Sequence, residues 1–185
     1  MINTLTELYS SFDELLDGIS EICKKCSYYD CMGYLWLLPD EAKKLLDADI
    51  ELLTVNNGIN FINPFKAGEE IDIERFKPIC PWFKNHLCRI RSLRPLVCRM
   101  YPLNFAAEHD NIYLVLHLDC EYAKINKGNK NFQQKATDLF RQINTQFFQQ
   151  ILNSYRLVNN IIKFPRGPNR YLKLANVRQI NLKIL

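Results

Sequence analysis

The sequence predicts an α+β fold: a single small domain with short strands and hairpins, a loop-rich cysteine cluster and a long C-terminal amphipathic helix. Three observations predict it. Apolar residues recur at helical spacing in two stretches, one early and one late in the chain. Between them, short aliphatic and aromatic runs are separated by turn residues. Seven cysteines are grouped in the irregular stretches rather than scattered. A chain of 185 residues, 48% apolar and 24% charged, suits one globular domain with a buried core. The expected division is residues 1–160 as a cysteine-cluster domain and 161–185 as a basic C-terminal tail.

The first element is an amphipathic helix over 3–20, where Leu5, Leu8, Phe12, Leu15, Leu16 and Ile19 share one face. The segment "CKKCSYYDCMG" breaks that period and reads as a loop. "YLWLL" reads as a short buried strand. "PDEAKKLLDA" reads as a short helix, with Pro39 at its start and acids in its first turn. "IELLTV" and "INFI" flank Asn56, Asn57 and Gly58, which makes 49–63 a hairpin. Residues 64–79 are polar and irregular. The stretch from Cys80 to Leu103 reads as loop with one or two helical turns, Pro95 opening a short helix that carries Cys98. "LNFAAEHDNIYLVLHL" reads as a second hairpin turning at His109, Asp110 and Asn111, and "KINKGNKN" as a polar connection. Residues 131–157 then read as one long helix, with an apolar face running from Phe132 through Phe140 and Ile143 to Tyr155. The last 25 or so residues show no strong period.

The formal net charge is only +4, so the total does not imply a nucleic-acid partner. Its distribution is uneven. Residues 1–22 carry Glu7, Asp13, Glu14, Asp17 and Glu21 without a Lys or Arg, whereas 161–185 carry six basic residues and no acid. Pairing or simple solvation of these faces is the plain reading. The N-terminal stretch lacks the basic and unbroken apolar regions of a signal peptide. No apolar run approaches the roughly 18 residues of a membrane span. A cytoplasmic chain with no membrane partner is expected, and disulfides are uncommon there. The odd cysteine count also argues against a closed disulfide framework.

Cys23, Cys26 and Cys31 form C-x2-C-x4-C, Cys80, Cys88 and Cys98 form C-x7-C-x9-C, and Cys120 follows alone. A C-x2-C pair can chelate because a tight turn brings both sulfurs to one ion. Thiolates suit zinc and iron–sulfur clusters. The same pair could be a redox couple, but here it follows a helix rather than opening one. Inert buried thiols are the remaining alternative. Arg89 and Arg99 directly follow Cys88 and Cys98, and Arg94 lies between them. Positive charge of this kind stabilises thiolate. These arginines would compensate thiolate charge, grip an anionic substrate, or hydrogen-bond loop carbonyls. His86 and His117 are candidate ligands beside the cysteines, and Asp30 and Asp119, each just before a cysteine, are further candidates. Glycine-rich nucleotide loops, G-x-S-x-G and H-E-x-x-H are all missing.

"CPWFKNHLCRIRSLRPLVCRMYPL" resembles the signature of the YkgJ-like cysteine-cluster family, described as zinc- or iron-chelating proteins. Cys80, Pro81, Cys88, Ile90, Arg94, Pro95, Cys98, Arg99, Tyr101 and Pro102 fit its phrase. Cys23, Cys26 and Cys31, the Pro39–Ala42 helix start and Cys120 fit its flanking elements, so the resemblance covers about residues 20–125. One departure stands out: family members often carry C-x2-C-x2-C-C at the first element, and here Met32 follows a lone Cys31. The family includes flagellin lysine-N-methylases, larger proteins, so the resemblance implies that a redox or methyl-transfer-like role is conceivable.

The expectation that results is a protein holding an iron–sulfur cluster, foremost [4Fe–4S], through Cys23, Cys26, Cys31, Cys80, Cys88, Cys98 and Cys120. A zinc-binding structural module is the alternative. Whether it is an enzyme stays open. If it is, Arg94, Arg99 and Tyr101 are the candidates beside the metal. Its partners would be the metal and a substrate or protein that the sequence does not identify.

Overall fold

The computed structural model describes residues 1–26, 35–55, 58–65, 80–108, 111–161 and 171–179. Among them are helices and three small antiparallel sheets, an α+β architecture as the sequence predicts. The chain divides into two compact units: Met1–Cys23, Met100–Thr145 and Pro168–Leu185 form the first, and Lys24–Arg99 with Gln146–Gly167 the second.

In the first unit, α1 spans Leu5–Leu15 and is opened by a capping box. Thr4 accepts the Glu7 N–H, while the Glu7 carboxylate accepts N–H groups of Asn3 and Thr4. Those amide donors hold its carboxyl below the usual range. The expected continuous helix over 3–20 is interrupted. Gly18, at φ 78, turns the chain before the short α2, Ile19–Cys23. A three-stranded sheet of β6 (Leu103–Glu108), β7 (Asn111–His117) and β8 (Tyr171–Gln179) has the order β6-β7-β8. The β6–β7 hairpin is the one expected from the sequence, though residues 109–110 at its turn lie outside the described residues.

Leu103 faces Leu116, and Phe105 faces Leu114, so one face of the sheet is apolar. Phe140 of α6 (Lys130–Gln142) meets the Phe105 ring edge-on at 5.2 Å and the Phe12 ring at 5.5 Å. These three buried rings tie α1, α6 and the sheet into one core. α5 (Glu121–Asn126) occupies part of the stretch expected to be a polar connection.

Two expectations are corrected here. The single long helix over 131–157 is two helices, α6 and α7 (Thr145–Ile161). The break falls at Ile143, which is extended (φ −66, ψ 128) and forms a parallel bridge with Ile2. Ile2 N–H donates to the Gln142 carbonyl at 2.8 Å, and Asn144 N–H donates back to Ile2. A long-range backbone pairing therefore overrides a helical apolar stripe. The basic stretch after that helix, read as having no period, supplies β8, which pairs with β7 along its length. Two register shifts in that pairing break the period-2 pattern that would have announced a strand.

The second unit carries a sheet of order β1-β3-β2, from β1 (Trp36–Leu37), β2 (Leu52–Val55) and β3 (Ile59–Ile62). The expected 49–63 hairpin is thus present. Gly58 adopts φ 73, and residues 56–57 lie outside the described residues. α3 (Pro39–Leu46) starts at the proline, as expected. Leu37, Ala42, Leu45, Ile50, Ile62 and Ile90 make the core of this unit. Among the described residues no helix is long and apolar enough to cross a membrane.

Candidate metal centre

The Cys80–Leu103 stretch is more regular than its sequence suggests. Beyond Cys80, β4 (Phe83–Lys84) and β5 (Leu87–Cys88) pair as a hairpin with Lys84 opposite Leu87. Its two turn residues, Asn85 and His86, have φ 50 and 61, the left-handed pair of a type I′ turn. Asparagine tolerates that geometry, and histidine does so less often. A 3-10 turn follows at Arg91–Leu93, then α4 at Leu96–Met100. Pro95 does open that helix: its carbonyl accepts the N–H groups of Cys98 and Arg99 at 3.0 Å.

The hairpin organises two thiols. Phe83 N–H donates to the Cys80 carbonyl at 3.0 Å, closing a tight turn, and Phe83 stands opposite Cys88. The backbone N–H groups of Trp82 and Phe83 act on the Cys80 sulfur and favour its anion. Cys80 is nonetheless only 6% exposed. Burial is the largest influence on it and pushes its thiol above the ordinary value, and the charge of Cys88 adds to that. The amides of the Trp82–Phe83 turn oppose that rise without overcoming it. A metal ion there would have to displace the proton that burial otherwise keeps on this sulfur. Trp82, Cys88 and Leu93 pack on the apolar core that includes Ile90, which holds the hairpin in place.

The other predicted ligands are distributed as follows. Cys98, half-buried, lies on α4 in the same unit as Cys80 and Cys88, and Cys26 belongs to that unit too. Cys31 and Asp30 lie outside the described residues. Cys23 ends α2 and Cys120 is the buried N-cap residue of α5, both in the first unit, where those two helices touch. Among the described residues, no three of His, Cys, Asp and Glu stand together as a metal-holding group. His86 sits in the hairpin turn, half-buried.

Two of the candidate catalytic residues hold backbone, and the third, Tyr101, meets the candidate ligand His117. Arg99, 8% exposed, donates from Nε to the Arg94 carbonyl at 2.9 Å and from Nη2 to the Ser92 carbonyl at 2.8 Å. Arg94 Nε reaches the Arg91 carbonyl at 3.3 Å. Both arginines thus fasten the turn leading into α4. Tyr101 lies in the first unit, with its hydroxyl 3.1 Å from His117 Nδ1. His117 Nε2 is 3.7 Å from Asp119 Oδ2, so this histidine meets a phenol and a carboxylate.

Glu41 is the residue that the sequence reading missed. It is 3% exposed, accepts the Leu38 N–H at 2.8 Å as the acid half of a capping box on α3, and also accepts the Leu96 N–H that begins α4. An acid at the third helical position was the available signal. Its second partner is too distant in sequence to foresee. Comparisons with family models, with curated proteins and with solved structures found no match.

Proposed function

We propose that the chain is a thiolate-ligated metal protein whose centre is an iron–sulfur cluster, with Cys80 and Cys88 as two of the ligands. The observation that carries this reading is the Cys80–Cys88 hairpin: Cys80 is buried in its first turn, and Cys88 stands opposite Phe83, close enough for its charge to act on Cys80. Buried thiols that give up their proton to a cation are what soft metal centres use. Cys26 and Cys98, in the same unit, are further described candidates, and Cys23, Cys31 and Cys120 stay in the ligand set expected from the sequence. Arg94 and Arg99 then act by fixing the helix that carries Cys98, rather than as metal ligands, since a guanidinium offers no lone pair. The resemblance to the YkgJ-like family supports the same reading. Its enzymatic form would be a redox or methyl-transfer-like activity of that cluster.

Zinc is the second reading. The hairpin sits on the apolar core through Trp82, Cys88 and Leu93, where a metal would add stability to a short element without any chemistry. Metal analysis of protein purified without oxygen separates the two. Iron with inorganic sulfide and a visible absorption band supports the cluster. Stoichiometric zinc in colourless protein replaces it with the structural site. Folded protein without either, or metal retained by both Cys80→Ser and Cys88→Ser, overturns the proposal.

A further inference from the structure

Tyr101, His117, Asp119 and Tyr171 are drawn together in the first unit from separate stretches of chain. Tyr101 precedes β6, His117 ends β7, Asp119 lies in the turn after it, and Tyr171 begins β8 opposite His117. The backbone fixes this group. His117 N–H donates to the Pro102 carbonyl at 2.9 Å, and Cys120 N–H donates to the His117 carbonyl at 3.3 Å, folding Asp119 back beside the ring. The Tyr101 hydroxyl is 3.1 Å from Nδ1, within hydrogen-bond reach, and Asp119 Oδ2 is 3.7 Å from Nε2. A carboxylate on the Nε2 side favours the tautomer with its proton there. In that tautomer Nδ1 carries the lone pair and can accept from the Tyr101 hydroxyl. A hydroxyl, a base and a carboxylate in that order are the parts of an activated nucleophile. His117 and Asp119 side chains are 17% and 19% exposed, partly desolvated yet open to a small molecule. Tyr171 lies with its ring centroid 5.0 Å from that of His117 and is 39% exposed, a wall for an aromatic or apolar group.

We propose that Tyr101, His117 and Asp119 form a reactive centre in which the Tyr101 phenol attacks uncharged ester carbonyls. Three aromatic rings and one carboxylate suit a neutral ester better than an anion. In the step, the Tyr101 oxygen bonds to the carbonyl carbon while its proton passes to His117 Nδ1. The ester C–O bond then breaks, and the imidazolium returns the proton to the departing oxygen. The products are O-acyl-Tyr101 and an alcohol or phenol, and water later releases the acid. Asp119 is a positioning residue that stabilises the transient imidazolium.

The test treats the full chain with p-nitrophenyl acetate, following nitrophenol release and locating the acetyl group by peptide mass spectrometry. Acetyl on Tyr101 is expected. Tyr101→Phe should abolish that label, and His117→Gln should slow it on the order of 100-fold, the usual worth of a general base. Asp119→Asn should lower the maximal rate without changing the half-saturating ester concentration, a split that mere loosening of the fold would not give. Tyr113→Phe, on the same strand, should leave the rate unchanged. Wild-type protein labelled only on lysines or cysteines overturns the proposal, whether or not any variant folds. So does a Tyr101 label that forms equally fast in folded His117→Gln protein.

Discussion

The carboxylate of Glu41 accepts the N–H of Leu96, 55 residues further along the chain, and so joins the first turn of α3 to the first turn of α4. Its other oxygen accepts from Leu38. One buried side chain therefore satisfies orphan amides at the starts of two helices. Glu41→Ala would leave two buried donors without an acceptor, at about 1–3 kcal/mol each. Glu41→Gln keeps one acceptor oxygen and should lose roughly half as much. Thermal melting of the two variants checks the order. Because α4 carries Cys98, metal content should fall in Glu41→Ala as well.

Arg99 reaches the carbonyls of Arg94 and Ser92 with two different nitrogens. A lysine ammonium is a compact charge on a flexible stem and cannot reproduce that fork. Arg99→Lys, which preserves charge, should therefore cost about 1–3 kcal/mol of unfolding free energy. A variant with unchanged melting would mean that charge, and not the fork, is what this position supplies.

Phe140 is fully buried between the Phe12 and Phe105 rings. Phe140→Ala should destabilise by about 3–5 kcal/mol through lost burial and the cavity left behind. Phe140→Leu should cost less, since it refills most of the volume. Denaturant midpoints measured in the two variants check the ranking.

Alkaline stability follows from two groups. Burial pushes the acidity of the Cys80 thiol and the Tyr122 phenol to higher pH, with Cys88 adding to the first and Asp17 and Cys120 to the second. Each therefore holds its proton more tightly folded than unfolded. The stability this gives is complete below the unfolded values, about 8.5 for a thiol and 10 for a phenol, and is lost as pH rises through the folded ones. Metal-free protein should melt at falling temperature above about pH 9. Tyr122→Phe should remove the later part of that slope, and Cys80→Ala the earlier part. A flat profile in the parent protein would count against both assignments.

The parts of the fold that local pattern governs were legible in the sequence. Pro39 opens α3, Pro95 opens the helix carrying Cys98, and Gly58 serves the β2–β3 turn. What long-range pairing governs was not. Ile143 belongs to an apolar helical stripe, and only its bridge to Ile2 makes it a break. β8 is a strand because β7 offers it an edge, and its register shifts hide the alternation. The Cys80–Cys88 hairpin escaped notice because its strands are two residues each and its turn is Asn85-His86 rather than Asn-Gly. The cysteines were visible as candidates, but the amides that act on Cys80 come from the turn, and the turn comes from the fold. Tyr101, His117 and Asp119 were each noticed singly, and their meeting depends on where β7 ends.

The most direct measurement is iron, sulfide and zinc content of anaerobically purified protein and of its Cys80→Ser and Cys88→Ser variants. Iron and sulfide are expected in the parent chain, and their loss in Cys80→Ser and Cys88→Ser. A parent chain that is folded without stoichiometric metal, or variants at Cys80 and Cys88 that keep it, would contradict a thiolate centre built on this hairpin.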